Sequence, residues 1–331
     1  MVDVSPFALP PRPHREDGAM RRMGVEFEFA GLRPDEIVDA IVRSVGGRPE
    51  RESAVAWSIE GTAAGDLRLE LDFRLLQTAA ADSRNADLPE WIADIGDWTT
   101  ELAERVASLV VPWEIVTAPV PLDHLHGLEP MIAGLRSAGA LGTRHAAHFA
   151  FGVHLNPELP ALDARTVRDQ FKAYLCLKDW LRVRCRPDLT RALSPYISDF
   201  DGRWVRKVVV PDYRPEIPQF IDDYLEANPT RNRSMDLLPL LAHLDGPRVF
   251  ATLDDPLIKA RPTFHYRLPN CEIDDPDWSL RPLWNDWLEV ERLAEDSPRL
   301  ARMGDAYAQW LGRWRVPFDD GWAKESEAWL E

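Results

Sequence analysis

Six stretches of this 331-residue chain alternate apolar and polar residues with period two, the signature of a β-strand with one buried face. In residues 23–30, MGVEFEFA, Val25, Phe27 and Phe29 point one way and Glu26 and Glu28 the other. Residues 55–61 set Trp57 and Ile59 against Ser58 and Glu60, and residues 67–75 set five apolar positions against Arg68, Glu70, Asp72 and Arg74. Residues 113–118 set Trp113 and Ile115 against Glu114. Residues 147–156 set Phe149, Phe151, Val153 and Leu155 against His148, His154 and Asn156. Residues 261–268 set Phe264, Tyr266 and Leu268 against Arg261, Thr263, His265 and Arg267.

Helical periodicity fills the intervals. Pro34 opens a segment with Ile37, Val38 and Ile41 on one stripe, and Pro89 opens a longer one through Val110. Asp163 to Arg184 carries Val167, Phe171, Tyr174, Leu175 and Leu181 at helical spacing; 216–227, 234–244 and most of 279–330 follow the same rule. Strands in hairpin-like succession followed by long helices predict an α+β fold, an antiparallel sheet with helices covering its apolar face. No linker-like stretch divides the chain. The expected organisation is a mobile arm at 1–22, one domain at 23–278, and a helical extension at 279–331 packed on that domain. Pro6, Pro10, Pro11 and Pro13 make the arm extended, and it has no apolar core of a signal peptide.

Charge narrows the function. Thirty-nine basic against 55 acidic residues give a net charge of −16, which repels nucleic acid and anionic membrane surfaces. No apolar run approaches the ~18 residues that span a bilayer. Cys176, Cys185 and Cys271 form no paired spacing, which points to a reducing compartment and a cytoplasmic protein. Glycine-rich phosphate loops of the G-x-x-x-x-G-K-[ST] and G-x-G-x-x-G types are absent, as are H-E-x-x-H and G-x-S-x-G. Any nucleotide must then be held by metals and basic side chains.

The polar strand faces are rich in Glu, His, Arg and Asn. Glu26 and Glu28 project to one side of their strand, roughly 6–7 Å apart at the backbone. They form either a solvated face or a pair of cation ligands. Glu114 adds a third carboxylate on the same type of face. His154 faces away from the apolar positions beside Asn156, with Gly152 allowing close approach; it is either a structural histidine or a metal ligand, and Asn156 can donate to a phosphate oxygen. Arg261, His265 and Arg267 share a face, with Lys259 just before them. Such cations either pair with carboxylates or clamp a triphosphate, for which the planar guanidinium is suited. Arg231 and Arg233, in NPTRNRS, form a second anion-binding candidate or simply solvate a helix entry.

GVEFEF at 24–29, WEIVTAP at 113–119, GVHLN at 152–156 and TFHYR at 263–267 together resemble the amidoligase family, relatives of glutamine synthetase and glutamate–cysteine ligase. The resemblance implies a glutamine-synthetase-like sheet and an ATP-dependent carboxylate–amine ligase working through an acyl phosphate. ATP and Mg²⁺ are the implied cofactors, and a small-molecule or peptide carboxylate and an amine the substrates. Carried over, the metal ligands are Glu26, Glu28, Glu114 and His154, with Glu60 or Glu70 as a further candidate. Asn156 stands where the family has a second histidine near the transferring phosphate. His265 and Arg267 stand where it has an E-x-R pair, which makes His265 a metal ligand and leaves room for Mn²⁺. Arg267, Arg261 and Asn156 then serve catalysis, and the two arginines, with Lys259, Arg231 and Arg233, hold the nucleotide. A guanidino or carboxylate kinase and a non-catalytic nucleotide-binding scaffold are the alternatives, and the oligomeric state stays open.

Overall fold

The computed structural model describes residues 6–53, 55–72, 111–144, 151–185, 198–313 and 321–330. The expected helix from Pro89 to Val110 and the strand ends at 73–75 and 147–150 lie outside the described residues.

The centre of the molecule is an open sheet in which nine strands are described, every pairing antiparallel. The strands are β1 (Arg22–Phe29), β2 (Arg48–Arg51), β3 (Ala56–Glu60), β4 (Leu67–Leu71), β5 (Trp113–Thr117), β6 (Val120–Pro121), β7 (Val153–Pro157), β8 (Met235–Asp236) and β9 (His265–Tyr266). Their order is β2-β3-β4-β5-β1-β7-β9-β8, with β6 beside β1. The alternation in β1 is realised as read: Met23, Val25 and Phe27 are wholly buried, and the glutamates occupy the opposite face. Gly31 turns the chain out of β1 at φ +93; a Cβ there would lie 2.8 Å from the Gly139 carbonyl, so only glycine fits.

The described helices are α1 (Pro34–Val45), α2 (Glu129–Ala138), α3 (Ala164–Cys185), α4 (Gly202–Val209), α5 (Ile217–Ala227), α6 (Leu238–Phe250), α7 (Leu280–Glu295), α8 (Ser297–Leu311) and α9 (Gly321–Glu327), with a 3₁₀ turn at Leu122–Leu128. Pro34 at the first helical position and the Glu36 carboxylate accepting from the Arg33 amide start α1. Over the apolar side of β9 lie α3 and α7: Tyr266 meets Tyr174 at 5.9 Å and Trp287 at 5.2 Å between ring centres. Edge-to-face and tilted contacts of this kind let large rings fill a core without voids. A single apolar cluster runs from α1 and α2 through the sheet to α9.

Two expectations need correction. The segment 261–268 pairs as a strand only at His265–Tyr266, although Phe264 and Tyr266 still turn to the core. The helix expected at 234–244 begins at Leu238, because Met235 and Asp236 pair with β9 first. From Pro6 onward the segment expected as an arm packs against the domain. Phe7 is buried under the Arg281 guanidinium, the Trp284 indole donates to the Ala8 carbonyl, and Arg21 forms a two-pronged, fully buried ion pair with Glu291. All three contacts join residues distant in sequence, which local patterning does not reveal.

Candidate metal and phosphate site

Strand register assembles the polar face. In the antiparallel pairing of β1 with β5 and β7, Glu28 lies opposite Glu114 and Glu26 opposite His154. Side chains directly opposite on neighbouring strands share a face, so four residues from three strands converge. Glu26 Oε2 is 2.7 Å from His154 Nδ1, and Glu28 Oε1 is 3.2 Å from His154 Nε2. From β9, His265 Nε2 comes within 3.6 Å of Glu26 Oε2 and 3.4 Å of His154 Nδ1. Two donor trios result, Glu26–His154–His265 and Glu28–Glu114–His154, each with its ligand atoms within 4.8 Å of one another. They share the His154 ring. A six-coordinate ion with bonds of about 2.1 Å keeps its ligand atoms within about 4.2 Å, so each trio closes on such an ion with a small adjustment.

Charge balance within the cluster favours a cation. Burial pushes the His154 imidazolium to lower pKa; Glu28 and Glu26 oppose that, and His265 adds to it, with the net shift downward. A neutral imidazole has one N–H, yet both of its nitrogens face carboxylates. One nitrogen therefore presents a lone pair to an anionic oxygen, an arrangement a cation between them would relieve. Burial raises the Glu26 carboxyl, but hydrogen bonds from His154 and His265, and the positive charge those rings carry when protonated, outweigh it and hold the group well below the usual carboxylate range. Glu114 goes the other way: burial first, then the charges of Glu26, Asp72, Glu28 and Glu70, push its carboxyl well above the usual range. Placing acids so that they repel one another is costly without a counter-charge.

The basic residues separate into two groups. Arg261 is at the cluster: its Nη2 donates to Asn156 Oδ1 at 2.9 Å and lies 3.7 Å from Glu26 Oε1, while Asn156 Nδ2 donates to the same Glu26 oxygen at 2.9 Å. Arg267, just past β9, is buried and donates to the Arg231 carbonyl at 3.0 Å. Arg231 lies 4.0 Å from Asp236. Arg233 and Lys259 are not brought to the cluster. Arg233 stacks over Phe200 and donates to Asn228, Ser198 and the Asp199 carbonyl, which ties the 198–200 and 228–233 loops together. Lys259 is exposed. Of the two further acidic candidates, Glu70 sits opposite Glu114 across β4 and β5, whereas Glu60 pairs across from Arg48 at the sheet's edge.

One residue of the site escaped sequence reasoning. Asp236, wholly buried, lies opposite His265 in register, with Oδ2 3.6 Å from His265 Nδ1 and Oδ1 accepting from the Leu238 amide. A carboxylate behind a histidine fixes which ring nitrogen faces a metal. Its only trace in the sequence is a lone acid inside the apolar run 235–241.

The family described as putative amidoligase enzyme matches residues 19–289, more than half of the chain. The chain belongs to this family. Searches of curated proteins and of solved structures returned no match. No described helix is long and apolar enough to cross a membrane.

Proposed function

We propose that the chain is an ATP- and divalent-metal-dependent ligase that joins a carboxylate to an amine, its substrates small molecules or peptides. The observation that carries this reading is the pair of donor trios sharing His154 on the polar face of a central sheet. Family membership supports the ligase class. Glu26, His154 and His265 would hold one ion, and Glu28, Glu114 and His154 a second. Mixed carboxylate and imidazole donors suit Mn²⁺ as well as Mg²⁺. A bound divalent cation would neutralise the oxygens of a transferring phosphoryl group.

The chain's own groups account for the remainder. Gly152 donates its amide to Glu28 Oε2 at 2.6 Å, which fixes that carboxylate, and Asn156 fixes Glu26. Arg261 sits at the rim of the cluster, where its planar fork can meet phosphate oxygens. A free carboxylate resists an amine because its charge repels the nucleophile and oxide is a poor leaving group. Transfer of the γ-phosphoryl group of ATP to a carboxylate oxygen releases ADP and makes an acyl phosphate. The amine then attacks its carbonyl carbon, the C–O bond to phosphate breaks, and phosphate departs as the amine gives up a proton.

The test is ADP release from ATP with pooled carboxylates and amines, in Mg²⁺ and Mn²⁺ in parallel. The proposal requires ADP formation that depends on both substrates. Phosphorylation without an amine would identify a kinase instead, and AMP with pyrophosphate would replace this chemistry with adenylation.

A further inference from the structure

A cavity of about 350 Å³ opens in the helical layer between α3, the turn at 211–214 and the start of α8. None of its lining residues belongs to the carboxylate–histidine cluster. Its polar wall is Arg165, Arg168, Lys172 and Arg214 with Tyr213 and a single acid, Asp169. In a chain of net charge −16, four cations around one small cavity run against the average. Asp169 is already shared by Arg168 at 2.7 Å and Arg165 at 3.5 Å. Among the described residues Arg214 makes one hydrogen bond, to the Pro211 carbonyl.

Lys172 is the informative residue. It is 5% exposed, lines the cavity, and makes no hydrogen bond or ion pair among the described residues. Burial pushes its ammonium below the ordinary lysine pKa, against smaller upward pulls from Cys176 and Asp169. Withdrawing an ammonium from water is unfavourable unless an anion meets it, and a methionine would fill the same space without that cost. The fold nevertheless makes room for it. On α8, Gly304 passes so close that a Cβ there would lie 2.8 Å from Lys172 Cε and 3.2 Å from Nζ. The end of the lysine occupies the space that a side chain at 304 would take.

We propose that this cavity binds a small organic anion with at least two negative charges, a phosphate monoester or a dicarboxylate. Lys172 would supply a point charge at the wall, and Arg168, held by Asp169, would add positive charge beside it, with Arg165 and Arg214 as cationic contacts at the mouth. Ammonium and guanidinium groups both favour such oxyanions, and a hydrogen bond between ions is about twice as strong as a neutral one. The volume is at the lower end for small-molecule sites, which fits a metabolite-sized anion better than a macromolecule.

The test is calorimetry and thermal melting of the full chain with glycerol 3-phosphate, inorganic phosphate and succinate. EDTA is included and ionic strength is held constant with sodium chloride. The expected result is saturable binding of at least one of the three, with a rise in melting temperature. The tighter of the phosphate and dicarboxylate arms identifies the ligand chemistry. Lys172→Met should lose at least tenfold in affinity while melting higher than the parent protein in the absence of anion. Arg214→Gln, a surface change that leaves the core intact, should weaken binding severalfold. No saturable binding of any probe, or unchanged affinity in the two variants, would overturn the assignment.

Discussion

Replacing Arg21 by methionine should remove a large share of the protein's stability. The Arg21 and Glu291 side chains are 1% and 2% exposed, and their two parallel contacts measure 2.6 and 2.9 Å. Arg21 also donates from Nε to the Glu158 carbonyl and from Nη1 to the Arg12 carbonyl, both at 2.8 Å. After the substitution, Glu291 keeps the Trp287 indole at 3.1 Å and a long contact to Gln170 at 3.5 Å. That is too little to solvate a buried anion, and two carbonyls lose a donor as well. Removing one partner of a buried pair costs about 3–5 kcal/mol, set against a total stability of about 5–15 kcal/mol. Urea denaturation followed by tryptophan fluorescence measures the loss from the shift in midpoint and the slope. The double variant Arg21→Met, Glu291→Leu should recover most of it, because it buries no unpaired charge. A loss below about 1 kcal/mol in Arg21→Met would refute the claim that this pair pins the N-terminal segment to α7.

Gly304→Ala should destabilise by about 1–3 kcal/mol despite the better helix propensity of alanine, because its Cβ would lie 2.1 Å from the Val209 carbonyl; equal urea midpoints would contradict the packing of α8 on α4. Glu114→Gln should stabilise the metal-free protein at neutral pH. A carboxyl whose folded pKa is raised costs nothing below its unfolded value, and the cost grows as pH rises through the folded value. The advantage of the glutamine variant should therefore shrink on acidification toward about pH 4.5; a pH-independent difference in melting temperature would contradict this. Arg267→Lys keeps the charge and loses the fork, so ADP-forming turnover should fall at least ~10-fold, about 1.4 kcal/mol. Unchanged kinetics in the folded variant would make Arg267 a structural cation only.

Local patterning reached the sheet where strands are long and missed it where pairing is brief. The eight residues of β1 alternate cleanly enough to put Glu26 and Glu28 on one face, and β5 and β7 bring Glu114 and His154 to the same side by register alone. The two-residue strands β8 and β9 carry no period of their own, so Asp236 had no visible partner until the fold set it opposite His265. Glu60 and Glu70 look equivalent as strand glutamates; their separation comes from β3 being nearer the sheet's edge. The helix α2 was hidden because Gly134 interrupts its apolar pattern, and that glycine is required where Ser44 of α1 comes within 2.7 Å of a would-be Cβ. Four prolines made the N-terminal segment read as free, whereas its anchor, Glu291, lies in the distant α7.

The polar face of β1, β5, β7 and β9 is proposed as a two-metal centre, and Mn²⁺ titration read by electron paramagnetic resonance tests this most directly. The free-ion signal is counted as Mn²⁺ is added to the metal-free protein. The expected result is two ions bound per chain, with spectral coupling between them, and loss of both ions' tight binding in His154→Ala, since both trios share that ring. One isolated ion, no binding above buffer, or two ions that persist without His154 would contradict it.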